Sequence, residues 1–123
     1  AYECALDYAK QWVQGGGPII QHQAVKVKLF EMFRKVEAAR TLARKASIAN
    51  VLHPGGIPFQ HAAAVKVTCT QTAFEVASDA LQVFGGNGLT REYPIEKLFR
   101  DARASLIEDG ENGMLGLMAA ARL

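Results

Sequence analysis

Apolar positions in this chain recur at steps of three and four rather than two, and that spacing cuts the sequence into helices. The first pattern runs from Ala1 to about Val13 through Tyr2, Ala5, Leu6 and Ala9, and breaks at Gly15-Gly16-Gly17-Pro18. A second runs from about Ile20 to Leu52. Val25, Leu29, Met32, Val36, Ala39, Ala43 and Ala46 draw one continuous stripe along it, which Phe30 and Phe33 widen. His53-Pro54-Gly55-Gly56 stops this helix and Pro58 opens a third, Phe59 to Phe84. On the third, Val65, Cys69, Thr72, Val76, Ala80 and Val83 occupy one face, and Val67, Phe74, Leu81 and Phe84 another. A helix apolar over most of its circumference lies in an interior or at an oligomer interface. Pro94 is well placed for the first helical position of a fourth segment ending near Leu106. A fifth occupies roughly Gly113 to Leu123, and nothing reads as a strand. The pattern predicts an all-α chain, a helical bundle of two long helices with shorter flanking ones.

Composition narrows the class without naming it. A chain of 123 residues makes one domain with one core. The net charge of +2 is too small to argue for nucleic acid, and the basic residues are not interleaved with aromatics. No apolar run approaches the roughly 18–20 residues of a membrane span, and no basic-then-apolar leader precedes the helices. Cys4 and Cys69 stand alone, without metal-ligand spacing, and are expected to be core thiols. The chain starts without methionine inside a helical pattern and is expected to be a piece of a longer protein.

The segment Gln82 to Asn112 concentrates the candidate chemistry. Gly85-Gly86-Asn87-Gly88 lacks GxGxxG spacing and follows a helix, so the dinucleotide fingerprint fails. Glycine and asparagine there suit a helix terminus, while adjacent glycines also admit a close ligand. Glu96 and Arg100 stand four apart in the favourable order for a solvated helix face. Asp109-Gly110-Glu111-Asn112 precedes the apolar run Met114, Leu115, Leu117, Met118, and helix N-capping accounts for its acids as well as chemistry does. His22, His53 and His61 form no metal motif, and Ser47 and Ser78 sit in no nucleophile elbow.

Taken in order, Gln82-Val83-Phe84-Gly85-Gly86-Asn87-Gly88, Glu92-Tyr93-Pro94, Glu96-Lys97-Leu98 and Arg100-Asp101-Ala102 resemble the C-terminal domain of the acyl-CoA dehydrogenases. The resemblance extends back through His22-Gln23 and covers essentially the whole chain. It implies an up-and-down four-helix bundle that follows an N-terminal helical domain and a middle β-domain, both absent here. It also implies an FAD-dependent enzyme that oxidises an acyl-CoA thioester to the 2-enoyl-CoA. A carboxylate takes the α-proton as the β-hydrogen leaves as hydride to the flavin. Partners implied are the acyl-CoA substrate, an electron-transfer flavoprotein or similar acceptor, and further copies in a homodimer or homotetramer, which the broadly apolar third helix suits. The compartment implied is the bacterial cytoplasm or the mitochondrial matrix.

Carried over by position, Gln82, Val83, Phe84, Gly85 and Gly86 resemble the loop that meets the FAD adenosine, bound mainly by a neighbouring subunit. His22 and Gln23 match an FAD-proximal pair. Asp109 falls where many members place a catalytic Glu, and Gly110 follows it as a substrate contact. Those members read Glu-Gly-Thr where this chain reads Asp109-Gly110-Glu111. Asp109 as base, a base in another domain and a degenerate site all stay open. Trp12 takes the place of an Arg that contacts the cofactor pyrophosphate, Glu111 that of a cofactor-bonding Thr, and Gly113 that of a polar residue. These departures leave two other readings: a related acyl-CoA oxidase or flavin monooxygenase, and a non-catalytic helical oligomerisation module.

Overall fold

The computed structural model describes residues 1–123 and folds them into an all-α, up-and-down bundle. Its helices are α1 (Tyr2–Gln11), α2 (Gln23–Leu52), α3 (Phe59–Phe84), α4 (Ile95–Ser105) and α5 (Asn112–Ala120). Helix breakers predicted from the sequence sit between them; α3 has the predicted ends, and the other ends differ by at most three residues. One difference is local and physical. Val13–Gln14 (β1) and Gly17–Pro18 (β2) pair antiparallel, where the sequence pattern predicts no strand. Gly15 at φ 67 and Gly16 at φ 93 supply the two left-handed residues of a tight hairpin. Strands of two residues are too short to display alternation. A 3-10 turn at Ile19–Gln21 follows, so α2 begins at Gln23 rather than Ile20.

Helix α3 is the central element and touches α1, α2, α4 and α5. Of the two explanations for its apolar circumference, burial inside this chain is the one the fold realises. The exposed apolar side chains lie elsewhere: Val27, Phe30, Phe33, Ile48, Val51 and Leu52 on α2, and Met114, Leu117 and Met118 on α5. The large apolar side chains that the bundle leaves uncovered are thus concentrated on α2 and α5 rather than on α3.

The core sits at one end. Ala5, Tyr8 and Ala9 of α1 meet Leu29 and Met32 of α2, Val76, Ala80, Val83 and Phe84 of α3, and Ile95 of α4. Tyr8 is its hub. Its ring stacks on Phe84 at 4.1 Å between centroids and meets Tyr93 edge-on at 5.6 Å. Its hydroxyl accepts from Asn87 Nδ2 at 2.9 Å, which ties the glycine-rich turn Gly85–Leu89 to α1. Gly88 must be glycine, because a Cβ there would lie 2.7 Å from the Leu81 carbonyl oxygen. Past Met32 no residue of α2 is buried. Only 14 of 123 residues are buried in all, too few for the full length of two long helices to be covered by this chain alone.

Two ion pairs set the register of α2 against α3: Lys28–Asp79 and Lys35–Glu75, both at 2.8 Å. Being partly exposed, each is worth at most about 1 kcal/mol, so they align the helices more than they hold them together. Cys4 and Cys69 are free and half-buried, and burial pushes the Cys69 thiol up from its ordinary value. No helix is long and apolar enough to cross a membrane.

Candidate functional site

The candidate residues fall in two places. The first is a cavity of about 550 Å³ where the hairpin, the start of α2 and the end of α3 converge. His22, Gln82, Val83, Phe84 and Gly85 line it. His22 donates from Nε2 to the Gln14 carbonyl at 2.9 Å, which fixes its tautomer and seals the hairpin onto α2. Val83 and Phe84 are 9% and 5% exposed, so a ligand there meets mainly their backbone. Gly85 ends α3 at φ 59, ψ −138, a conformation that only glycine adopts without strain, and the space at its absent Cβ is open. Gln82 is exposed, and its side-chain amide makes no hydrogen bond within the chain.

Two predicted members stand outside this cavity. Gln23 lines a neighbouring depression with Lys28, Glu31, Lys35 and Asp79, because consecutive helical residues diverge by about 100°. Gly86 is exposed in the turn beyond. Conversely, the structure adds Trp12 and Lys28 to the cavity wall. Trp12 stacks on Tyr8 at 5.4 Å, so its indole is held flat against the core. Lys28 is one of many basic residues on α2, and nothing in its local pattern marks it apart from a solvated face.

The second place is the turn between α4 and α5. Asp109 is exposed at φ 53, and Gly110 follows at φ 104. Aspartate tolerates the left-handed region better than most side chains, though at a cost. Gly110 has a structural reason of its own, since a Cβ there would press on the Leu115 side chain at 3.0 Å. The N-cap of α5 is Glu111, not Asp109: its carboxylate accepts from Met114 N at 2.9 Å. The backbone N–H groups of Gly113 and Met114 hold Glu111 below the usual glutamate range, with Lys66 adding to the effect. The Asp109 carboxylate makes no hydrogen bond within the chain, so capping does not account for it.

Lys66, which holds this turn, and Gln82 stand sixteen positions apart on α3, roughly 24 Å along the helix axis. One chain does not bring Asp109 and the cavity together.

Glu111 makes a pH-dependent contribution to stability. Its folded pKa is depressed, so the contribution is present above the ordinary glutamate pKa and lost as pH falls through the folded value. Glu111→Gln is expected to lower the thermal midpoint at about pH 7 and to match the wild type at about pH 3. A gap of equal size at both pH values would remove the charge from the cap.

Comparison with known proteins adds a second line of observation. Residues 1–123 match the family described as the acyl-CoA dehydrogenase C-terminal domain. An acyl-CoA dehydrogenase of Bacillus subtilis is 41% identical over 113 residues, covering 91% of this chain and 29% of that protein. A 3-sulfinopropanoyl-CoA desulfinase of Paraburkholderia xenovorans is 36% identical over 123 residues, covering 100% of this chain and 31% of that protein. The butyryl-CoA dehydrogenase structure from Megasphaera elsdenii superposes with a TM-score of 0.91 at 33% identity, over 98% of this chain and 31% of that one. The chain thus spans about three tenths of the length of these proteins.

Proposed function

Because the chain belongs to the acyl-CoA dehydrogenase family, as its C-terminal domain, we propose that the full-length protein is an FAD-dependent enzyme oxidising an acyl-CoA thioester to the 2-enoyl-CoA. An N-terminal helical domain and a middle β-domain complete it. The observation that carries this reading is the shared cavity, where His22 and Gln82–Gly85, far apart in sequence, line one recess.

That recess suits one end of a dinucleotide cofactor. The free amide of Gln82 offers both a donor and an acceptor. The open Gly85 lets a ligand approach the backbone, and Trp12 supplies a flat aromatic wall. Lys28, paired with Asp79 at 2.8 Å, stands on the same wall. His22, Gln23 and Gly86 extend the contact around its rim. FAD, when bound, accepts the β-hydride, chemistry that no side chain here can supply.

Asp109 acts as the general base, taking the α-proton onto a carboxylate oxygen. Gly110 next to it gives the substrate a backbone contact. The carboxylate is exposed in this chain and has no hydrogen-bond partner within it. The separation of the turn from the cavity fits an assembly in which each copy serves two sites, its cavity meeting the cofactor held mainly by a neighbour. A homodimer or homotetramer built on the exposed faces of α2 and α5 meets that need. Electrons then pass to an electron-transfer flavoprotein or similar acceptor.

The test is made on the full-length protein. Purified with FAD, it is expected to show flavin absorbance that bleaches on adding an acyl-CoA thioester and persists bleached in air until an acceptor is supplied. Rapid reoxidation by oxygen would make it an oxidase instead. Failure to hold FAD after reconstitution would leave only a helical oligomerisation module.

A further inference from the structure

Asp109 and Gly110 form two consecutive left-handed residues on an exposed turn, a conformation that is free for the glycine and disfavoured for the aspartate. Three side chains tie the turn to α3. Lys66 Nζ donates to the Gly110 carbonyl at 2.6 Å and to Asn112 Oδ1 at 2.8 Å. Asn112 Nδ2 donates to the Thr70 hydroxyl at 3.0 Å, and that hydroxyl donates to the Lys66 carbonyl at 2.9 Å. The circuit closes on itself: Lys66 and Thr70 are one turn apart on α3, and Asn112 begins α5.

We infer that Lys66, supported by Thr70 and Asn112, is a positioning residue that fixes the backbone carrying Asp109 relative to the bundle. This rests on the reading of Asp109 as the base. Lys66 and Thr70 are only half-buried and Gly110 is exposed, so water can replace these bonds when the lysine is removed. Net hydrogen-bond contributions in such surroundings are small. What water cannot replace is the geometry. A lysine bonded at once to the carbonyl beside Asp109 and to the first residue of α5 holds two points of the turn from a rigid helix. A displacement of about 1 Å at a reacting group costs on the order of a hundredfold in rate. Loss of Lys66 therefore acts on the rate of proton transfer far more than on folding.

The experiment uses the full-length, FAD-loaded protein and reads both turnover with acyl-CoA and amide hydrogen exchange over residues 106–112. Lys66→Met is expected to lower kcat by roughly 100-fold with KM and flavin content unchanged. Exchange at the Asn112 amide, which donates to the Leu106 carbonyl at 3.1 Å, is expected to speed up roughly tenfold, with α3 unaffected. Lys66→Arg keeps a cation and more than one donor at the same place and is expected to recover most of the rate. Unchanged exchange in the Lys66→Met turn would overturn the inference, as would an unchanged kcat in a protein where Asp109→Asn is inactive. If Asp109→Asn stays active while Lys66→Met still loosens the turn, the anchoring stands and the assignment of the base falls.

Discussion

Asp109→Asn in the full-length flavoprotein is expected to abolish exchange of the substrate α-proton with solvent while FAD stays bound. The amide is close in size to the carboxylate and leaves the turn intact, but it cannot take a proton at neutral pH. A positioned general base contributes about 10²–10⁴-fold, so the residual rate should lie at least two orders of magnitude below wild type. Asp109 lies outside the cavity of His22 and Gln82–Gly85, so flavin content is not expected to fall with the rate. The conservative variant sharpens the point. Asp109→Glu adds one methylene, about 1.3–1.5 Å of reach, and is expected to keep proton exchange while changing its rate. Exchange at the wild-type rate in Asp109→Asn would move the base to another domain.

Ile95→Ala is expected to be among the most damaging single truncations in the bundle. Ile95 is fully buried as the first residue of α4, and it joins Phe84 and Val83 of α3 in the same core cluster. Truncating a buried isoleucine costs about 2–5 kcal/mol through lost transfer energy and the cavity left behind. That is a large share of the roughly 5–15 kcal/mol that holds a domain together. Val51→Ala is the control. Val51 is 83% exposed, so in this chain its loss should change stability by less than about 0.5 kcal/mol. Denaturant titration of both variants checks the pair, and equal midpoints would mean that the core lies elsewhere. A loss at Val51 appearing only in the full-length assembly would show that another domain or copy covers the far end of α2.

Much of the fold was legible in the sequence for a local reason. The repeat of apolar residues along α2 and α3 and the breakers at Gly15–Pro18 and His53–Gly56 act within a few residues, so they survive without tertiary context. The hairpin escaped because its strands hold two residues each. Of the site, the ordered run Gln82–Ala102 identified the family but left each side chain's role open. Lys66 gave no signal at all. It is one lysine on an amphipathic helix, and its partners Gly110 and Asn112 are more than forty residues away. Glu111 is similar: beside Asp109, either acid could cap α5, and only the left-handed backbone at Asp109 and Gly110 selects Glu111.

The sequence by itself determined the all-α class and the helix boundaries to within about three residues, because helical periodicity and turn residues are short-range effects. Only the tertiary structure decided which apolar faces are covered and which candidates meet. It made α3 the interior helix, left α2 and α5 with the exposed apolar faces, and gathered His22 with Gln82–Gly85 around one cavity. It also set the Asp109 turn at the other end of α3, tied down by Lys66. Those outcomes depend on how whole helices pack, a property of all their faces at once, and no window along the chain contains it.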